Sequence, residues 1–184
     1  MFLLEIEPLD LGSDVRAIGL ELTEADENRE PIRGADAAKI WSRVLPAVAA
    51  GQSWVLDFFS HLDRVREYCG RHGISFREPN PHSIVVPSPS PPLLEPLFER
   101  FEGETFGARA GELVESSDPE LEGELARRGA DAYHLAFPRY YLCAICGFED
   151  GSLVLLSQAL WASEVIRRVR PALAGIEVEI RLPS

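Results

Sequence analysis

The middle of the chain is rich in proline, and this feature constrains the fold more than any other in the sequence. Half of the fourteen prolines lie within residues 78–97. Proline fixes φ, lacks a backbone N–H donor and pushes the preceding residue into extended geometry, so a long strand or helix cannot run through this segment. We predict an N-terminal half over residues 1–86, a stiff connector over 87–92 and a C-terminal half over 93–184. The alternative is a single domain in which the segment is an edge strand followed by a surface loop.

Short segments of alternating or periodic apolar residues lie on both sides of the connector. Alternation predicts strands that include Ser83 to Val86, and Tyr140 to Phe148 followed by a Glu-Asp-Gly turn and Ser152 to Leu156 predicts a β-hairpin. Helical periodicity predicts helices from about Ala35 to Ala50 and from Ser157, as N-cap, to about Leu173. The expected fold is therefore α+β, with a mainly antiparallel sheet and three or four helices.

The two helical segments also resemble each other. When Ala37 to Ala49 is aligned with Ala162 to Ala174, Arg-Val-Leu-Pro-Ala-Val-Ala faces Arg-Val-Arg-Pro-Ala-Leu-Ala. Each helix is expected to follow two strands and to precede one, so a duplicated ββαβ unit would explain the likeness. Two amphipathic helices with similar ends would also match by chance.

The charge of the chain restricts its partners. A formal net charge of −12 and a pI near 4.8 accompany an apolar content of 46%, which is typical of a globular protein with a core. We expect no nucleic-acid partner, because such proteins cluster Lys and Arg to replace counterions, and no binding to anionic membranes. No apolar run has the length needed to span a bilayer. A basic protein is the partner that the charge favours.

The chain is expected to be cytoplasmic and bacterial. It begins Met-Phe-Leu-Leu-Glu-Ile-Glu-Pro, without a basic leader or a cleavage site. Three cysteines make an odd number, which fits a reducing compartment. Lys39 is the only lysine among the basic residues, a bias typical of a GC-rich genome.

Two short motifs have the spacing of metal ligands. Cys143 and Cys146 form a Cys-x-x-Cys-Gly turn, and Cys69 and His72 precede a second glycine. The first stretch resembles, over these few residues, the knuckles of rubredoxin-like and zinc-ribbon proteins. Tetrahedral zinc needs four ligands, so Cys69, His72, Cys143 and Cys146 together predict a structural zinc site.

A non-metal interpretation of these cysteines competes with the zinc site. Cys143 and Cys146 lie in an almost uninterrupted apolar run, and residues three apart in a strand point to opposite faces. Under this interpretation the thiols are core residues and the protein has no cofactor.

Polar and aromatic residues around a proline form a candidate ligand site. His134, Arg139, Tyr140 and Tyr141 could line a pocket that binds an anion through the arginine, at the junction of the two halves. The competing interpretation is sheet face and turn. The sequence contains no phosphate-binding glycine loop, no His-Glu-x-x-His helix and no nucleophile elbow. We therefore favour a non-catalytic protein, although a missing motif does not exclude an enzyme.

Carboxylates form two groups along the chain. The favoured hypothesis is an acidic binding protein of the immunity or antitoxin type, with any exposed tryptophan as an anchor. The alternative is a small enzyme or ligand-binding domain. A solvated surface would equally explain the charge runs. The two groups are Glu21, Glu24, Asp26, Glu27 and Glu30, and Glu95, Glu99, Glu102 and Glu104.

Overall fold

The computed structural model describes residues 1–10, 16–50, 52–58, 62–80, 83–86, 90–100, 105–111, 118–132, 135, 140, 142–147, 151–157 and 160–182. Within these ranges the strands are β1 (Phe2–Leu9), β2 (Ala17–Glu24), β3 (Trp54–Phe58), β4 (Arg77–Asn80), β5 (Ser83–Val86), β6 (Thr105–Ala110), β7 (Leu142–Gly147), β8 (Ser152–Leu156) and β9 (Val178–Arg181). The helices are α1 (Gly34–Val48), α2 (Leu62–Arg71), α3 (Pro91–Arg100), α4 (Pro119–Arg128) and α5 (Ala162–Ala172), with a 3-10 helix at Gly129–Ala132.

All of these strands belong to one nine-stranded sheet in the order β4-β5-β3-β6-β7-β8-β2-β1-β9. Neighbouring strands are antiparallel except for β1 and β9, which are parallel. The predicted α+β class with a mainly antiparallel sheet is thus confirmed. The described residues contain five α-helices, not the three or four expected. None of these helices is long and apolar enough to cross a membrane.

The sheet joins the two sides of the proline-rich segment. Strand β3 pairs with β6, and β2 pairs with β8, so strands from residues 1–86 and 93–184 alternate in one ladder. Part of the predicted connector is helical, because α3 begins at Pro91. Prolines suit the first turn of a helix, where an N–H has no partner within the helix.

Helices cover the two faces of the sheet unequally. Helices α1, α2, α3 and α5 contribute to the larger core, together with the sheet residues that face them, such as Leu4, Leu20 and Leu56. Helix α4 lies on the opposite face, where Leu121 and Leu125 pack in a second, smaller core. Because successive side chains of a strand point to opposite faces, strands such as β2 and β3 contribute residues to both cores.

The predicted duplication stays a prediction, although hairpin and helix recur in the same order in both halves. Arg43 of α1 and Arg168 of α5 are equivalent in the predicted alignment. Arg43 Nη1 donates to the Ala172 carbonyl at 3.5 Å, and Arg168 Nη1 donates to the Val48 carbonyl at 2.8 Å. Each arginine thus contacts the C-terminal turn of the other helix, where carbonyls lack partners within the helix.

Candidate functional site

The residues of the predicted zinc site lie apart where the structure describes them. Cys69 of α2 is 1% exposed in the larger core, whereas Cys143 of β7 is 0% exposed in the smaller core. The sheet separates these two cores. His72 is exposed, with its ring centroid 4.3 Å from that of Tyr68. The side chain of Cys146 lies outside the described residues.

The structure therefore does not bring Cys69 and Cys143 together. In the described ranges no three His, Cys, Asp or Glu side chains form a group that could hold a metal ion. Burial raises the pKa of the Cys69 thiol to about 11 and that of the Cys143 thiol to about 12. Both thiols are consequently protonated at neutral pH, and the thiolate is the form that binds metals and attacks electrophiles.

The predicted ligand-binding residues are only partly described. His134, Arg139 and Tyr141 lie outside the described residues. Tyr140 is 6% exposed, and its hydroxyl accepts a hydrogen bond of 2.9 Å from Arg109 Nη1. Burial raises the pKa of Tyr140, and the nearby Arg109 opposes this effect. Tyr140 is thus part of a buried polar cluster.

Arg109 is the centre of this cluster and is 0% exposed. Its Nε and Nη2 donate to the two carboxylate oxygens of Asp57, each at 2.7 Å. Its Nη1 and Nη2 also donate to Glu122 Oε1 at 2.9 Å and Oε2 at 3.2 Å. With the bond to Tyr140, these contacts engage all five N–H donors of a guanidinium group. Ser83 adds a further bond, because its Oγ donates to Asp57 Oδ1 at 2.5 Å.

Strand register and side-chain alternation position these groups. In β3, Leu56 faces the larger core, so Asp57 points to the opposite face. In β6, Ala108 faces the larger core, so Arg109 points to the same face as Asp57. Glu122 belongs to α4 on that face. A guanidinium whose donors are all bonded to protein groups is not available to a substrate. We interpret the cluster as an ion-pair network that fastens α4 to the sheet.

Tyr140 was predicted as a ligand-binding residue, but the sequence-based predictions did not include Arg109, Asp57 or Glu122. The signal present in the sequence is a charged residue at an inward position of two otherwise apolar strands, Asp57 within Trp-Val-Leu-Asp-Phe and Arg109 within Ala-Arg-Ala. Asp and Arg are almost never fully buried unless they are paired. That pattern predicts a buried ion pair, but it does not identify Glu122 or Tyr140 as further partners.

Carboxylates gather on the sheet face opposite the larger core, over β1 and β2. Leu4 and Ile6 of β1 face the larger core, so Glu5 and Glu7 point to the other face. Glu21 of β2 lies directly opposite Glu5 in the antiparallel register. Such residues have Cβ atoms about 5 Å apart. Glu7 and Glu21 are exposed, and the side chain of Glu5 retains 22% of its exposure.

The loop after β2 extends this surface. Asp26 Oδ1 accepts hydrogen bonds from the backbone N–H groups of Asn28 and Arg29. Arg29 has a positive φ of 49°, and its Nη1 donates to Glu5 Oε2 at 3.0 Å. The loop thereby returns to the strand face. We use the name acidic patch for Glu5, Glu7, Glu21, Asp26, Glu27 and Glu30, of which all but Glu5 are exposed; Glu24 is also exposed but alternates to the face of Leu20 and Leu22.

The second predicted group of carboxylates does not join the acidic patch. Glu95 and Glu99 belong to α3, which packs against α1 on the other face of the sheet. Glu102 and Glu104 lie outside the described residues. The negative charge is therefore divided between at least two places.

The three tryptophans differ sharply in exposure. Trp41 is 0% exposed and Trp54 is 1% exposed, whereas Trp161 is 59% exposed. Only Trp161 therefore meets the condition for a surface anchor.

No protein-family model, curated protein or solved structure matches this chain. Function is therefore inferred from charge, burial and contacts alone.

Proposed function

We propose that the protein is a non-catalytic acidic binding protein of the immunity or antitoxin type, which covers a basic surface of a partner protein. The observation that carries the proposal is the acidic patch on a sheet face where Glu7 and Glu21 are solvent-exposed. An acidic surface of this kind accelerates encounter with a basic partner and fixes the orientation of the complex.

The arrangement of the patch is electrostatically unfavourable in the free protein. Glu5 and Glu21 are directly opposed on neighbouring strands. Like charges in this position destabilise a sheet, and Arg29 compensates only one of the two. A partner that brings arginine or lysine side chains to the patch would remove this repulsion. Relief of the repulsion would therefore contribute to the free energy of binding.

Two variants of equal net charge test the proposal. Glu7→Gln with Glu21→Gln removes two charges from the acidic patch, and Glu95→Gln with Glu99→Gln removes two from α3. Each variant would be titrated against a labelled arginine-rich peptide, and binding would be followed by fluorescence anisotropy. The two central residues of the peptide are serines, so that it offers positive charge without a large apolar side chain. Two exposed charge pairs, at up to about 1 kcal/mol each, correspond to a loss of affinity of up to about thirtyfold for the patch variant.

The α3 variant should bind the peptide as the wild type does, and affinity should fall as salt screens the exposed charges. Equal losses in both variants would mean that only total charge matters. Absence of binding to the wild type at low ionic strength would likewise contradict the proposal.

A further inference from the structure

A groove of about 390 Å³ lies where the turn end of the β1–β2 hairpin meets the N-terminus of α5. Its lining includes the buried apolar residues Ala17, Ile18 and Leu160, which are 2%, 3% and 0% exposed. Pro8 and Leu9 of β1 also line it. The groove thus presents an apolar floor beside a strand that also carries part of the acidic patch.

Trp161 forms one side of this groove as the N-cap residue of α5. The guanidinium carbon of Arg16, which also lines the groove, lies 3.5 Å from the centroid of the indole ring. Trp161 nevertheless retains 59% of its exposure. An exposed aromatic side chain beside an apolar groove is suited to anchor a partner.

We infer that this groove receives an apolar side chain of the same basic partner, flanked in the partner by arginine or lysine. The inference rests on the proposed function and names the anchor of that interface. Charge complementarity selects this occupant: Glu5, Glu7 and Leu9 lie along one face of β1, so the acidic patch leads directly to the groove. Of the charged residues, Asp10 and Arg16 also line the groove.

The two surfaces contribute differently to such a complex. Exposed charges mainly direct encounter and orientation, whereas a buried apolar or aromatic anchor supplies most of the affinity. Burying one leucine or phenylalanine side chain contributes about 1.5–3 kcal/mol, which corresponds to an affinity gain of at least about tenfold.

Two arginine-rich peptides of equal charge test the inference, one with Leu-Phe at its centre and the other with Ser-Ser. Because Trp41 and Trp54 are buried, acrylamide quenching of the native fluorescence reports mainly on Trp161. We expect the Leu-Phe peptide to bind about tenfold more tightly and to protect Trp161 from the quencher. In Trp161→Ala this preference should disappear, while affinity for the Ser-Ser peptide should remain. The side chain of Trp161 makes no capping hydrogen bond to α5, so this variant should fold, and circular dichroism would verify this.

The outcomes separate the groove from the acidic patch. Equal affinity of the wild type for both peptides, or an undiminished preference in Trp161→Ala, would overturn the groove. If the preference depends on Trp161 but the Glu7→Gln, Glu21→Gln variant binds both peptides as the wild type does, the groove stands and the acidic patch fails. If neither peptide binds, both proposals fail.

Discussion

Replacing Arg109 with methionine tests the network that fastens α4 to the sheet. The change removes a fully buried guanidinium and leaves the Asp57 carboxylate, which is 1% exposed, without its cation. Removing one partner of a buried ion pair typically costs 3–5 kcal/mol, because the remaining charge stays desolvated. A domain of this kind has a free energy of unfolding of about 5–15 kcal/mol, so a large share should be lost.

Urea unfolding followed by far-UV circular dichroism measures this loss as a shift in midpoint at constant slope. The matched control is Arg127→Met in α4, where the arginine side chain is 65% exposed. This change removes the 2.6 Å salt bridge between Arg127 and Glu124 of the same helix. Exposed pairs contribute about 0.2–1 kcal/mol, so the control should be nearly silent.

A double variant separates the ion pair from general core damage. In Arg109→Met with Asp57→Leu, both charges of the pair are absent, and apolar replacements of buried pairs are often neutral. We expect the double variant to recover part of the stability lost in Arg109→Met, with a coupling energy of about 0.5–3 kcal/mol. Asp57→Leu alone completes the cycle. The reasoning is refuted if Arg109→Met costs no more than Arg127→Met, or if the loss in the double variant equals the sum of the losses in Arg109→Met and Asp57→Leu.

Two further predictions concern a turn and a helix terminus. Gly151 has a φ of +64°, and an added Cβ would lie 2.6 Å from a backbone oxygen, whereas nothing lies within 4 Å of a Cβ at Gly123 in α4. Gly151→Ala should therefore lower the free energy of unfolding by more than about 1 kcal/mol, whereas Gly123→Ala should raise it by about 0.5–1 kcal/mol. Urea midpoints of the two variants that shift in the same direction would contradict this. Hydrogen bonds from Arg167 and Arg168 lower the pKa of Glu164 to about 2, so this carboxylate stabilises the fold above its unfolded pKa of about 4.3 and the effect is lost as pH falls toward 2. Glu164→Gln should thus lower Tm at pH 7, and a Tm difference from wild type that stays constant between pH 5 and pH 2 would exclude this linkage.

Local patterns predicted several elements well. Strands Ser83–Val86 and Ser152–Leu156 have the predicted bounds, because alternation and the adjoining turn chemistry are properties of a few consecutive residues. The start of α5 was predicted wrongly. Ser157 is not its N-cap: its backbone N–H donates to the Arg16 carbonyl beyond the end of β8, and the helix begins at Ala162. The backbone of Ser157 thus continues the pairing of β8 with β2, and Trp161 is the N-cap of α5.

The candidate surfaces were likewise predicted from local patterns only in part. The first acidic group was visible as a run of charges, but Glu5 and Glu7 join it only through the pairing of β1 with β2. Exposure separated Trp161 from the other two tryptophans, which no local pattern distinguishes.

By itself, the sequence determined the α+β class, the negative charge, and the periods that decide which residues of a helix or strand face a core. Tertiary structure alone decided which strands are neighbours. It placed β8 beside β2, which unites the two halves in one sheet, and it brought Asp57 to Arg109 across 52 positions of the chain. The physical reason is that the apolar period of a segment specifies which face is buried, whereas the partner of that face depends on contacts between segments far apart in the chain.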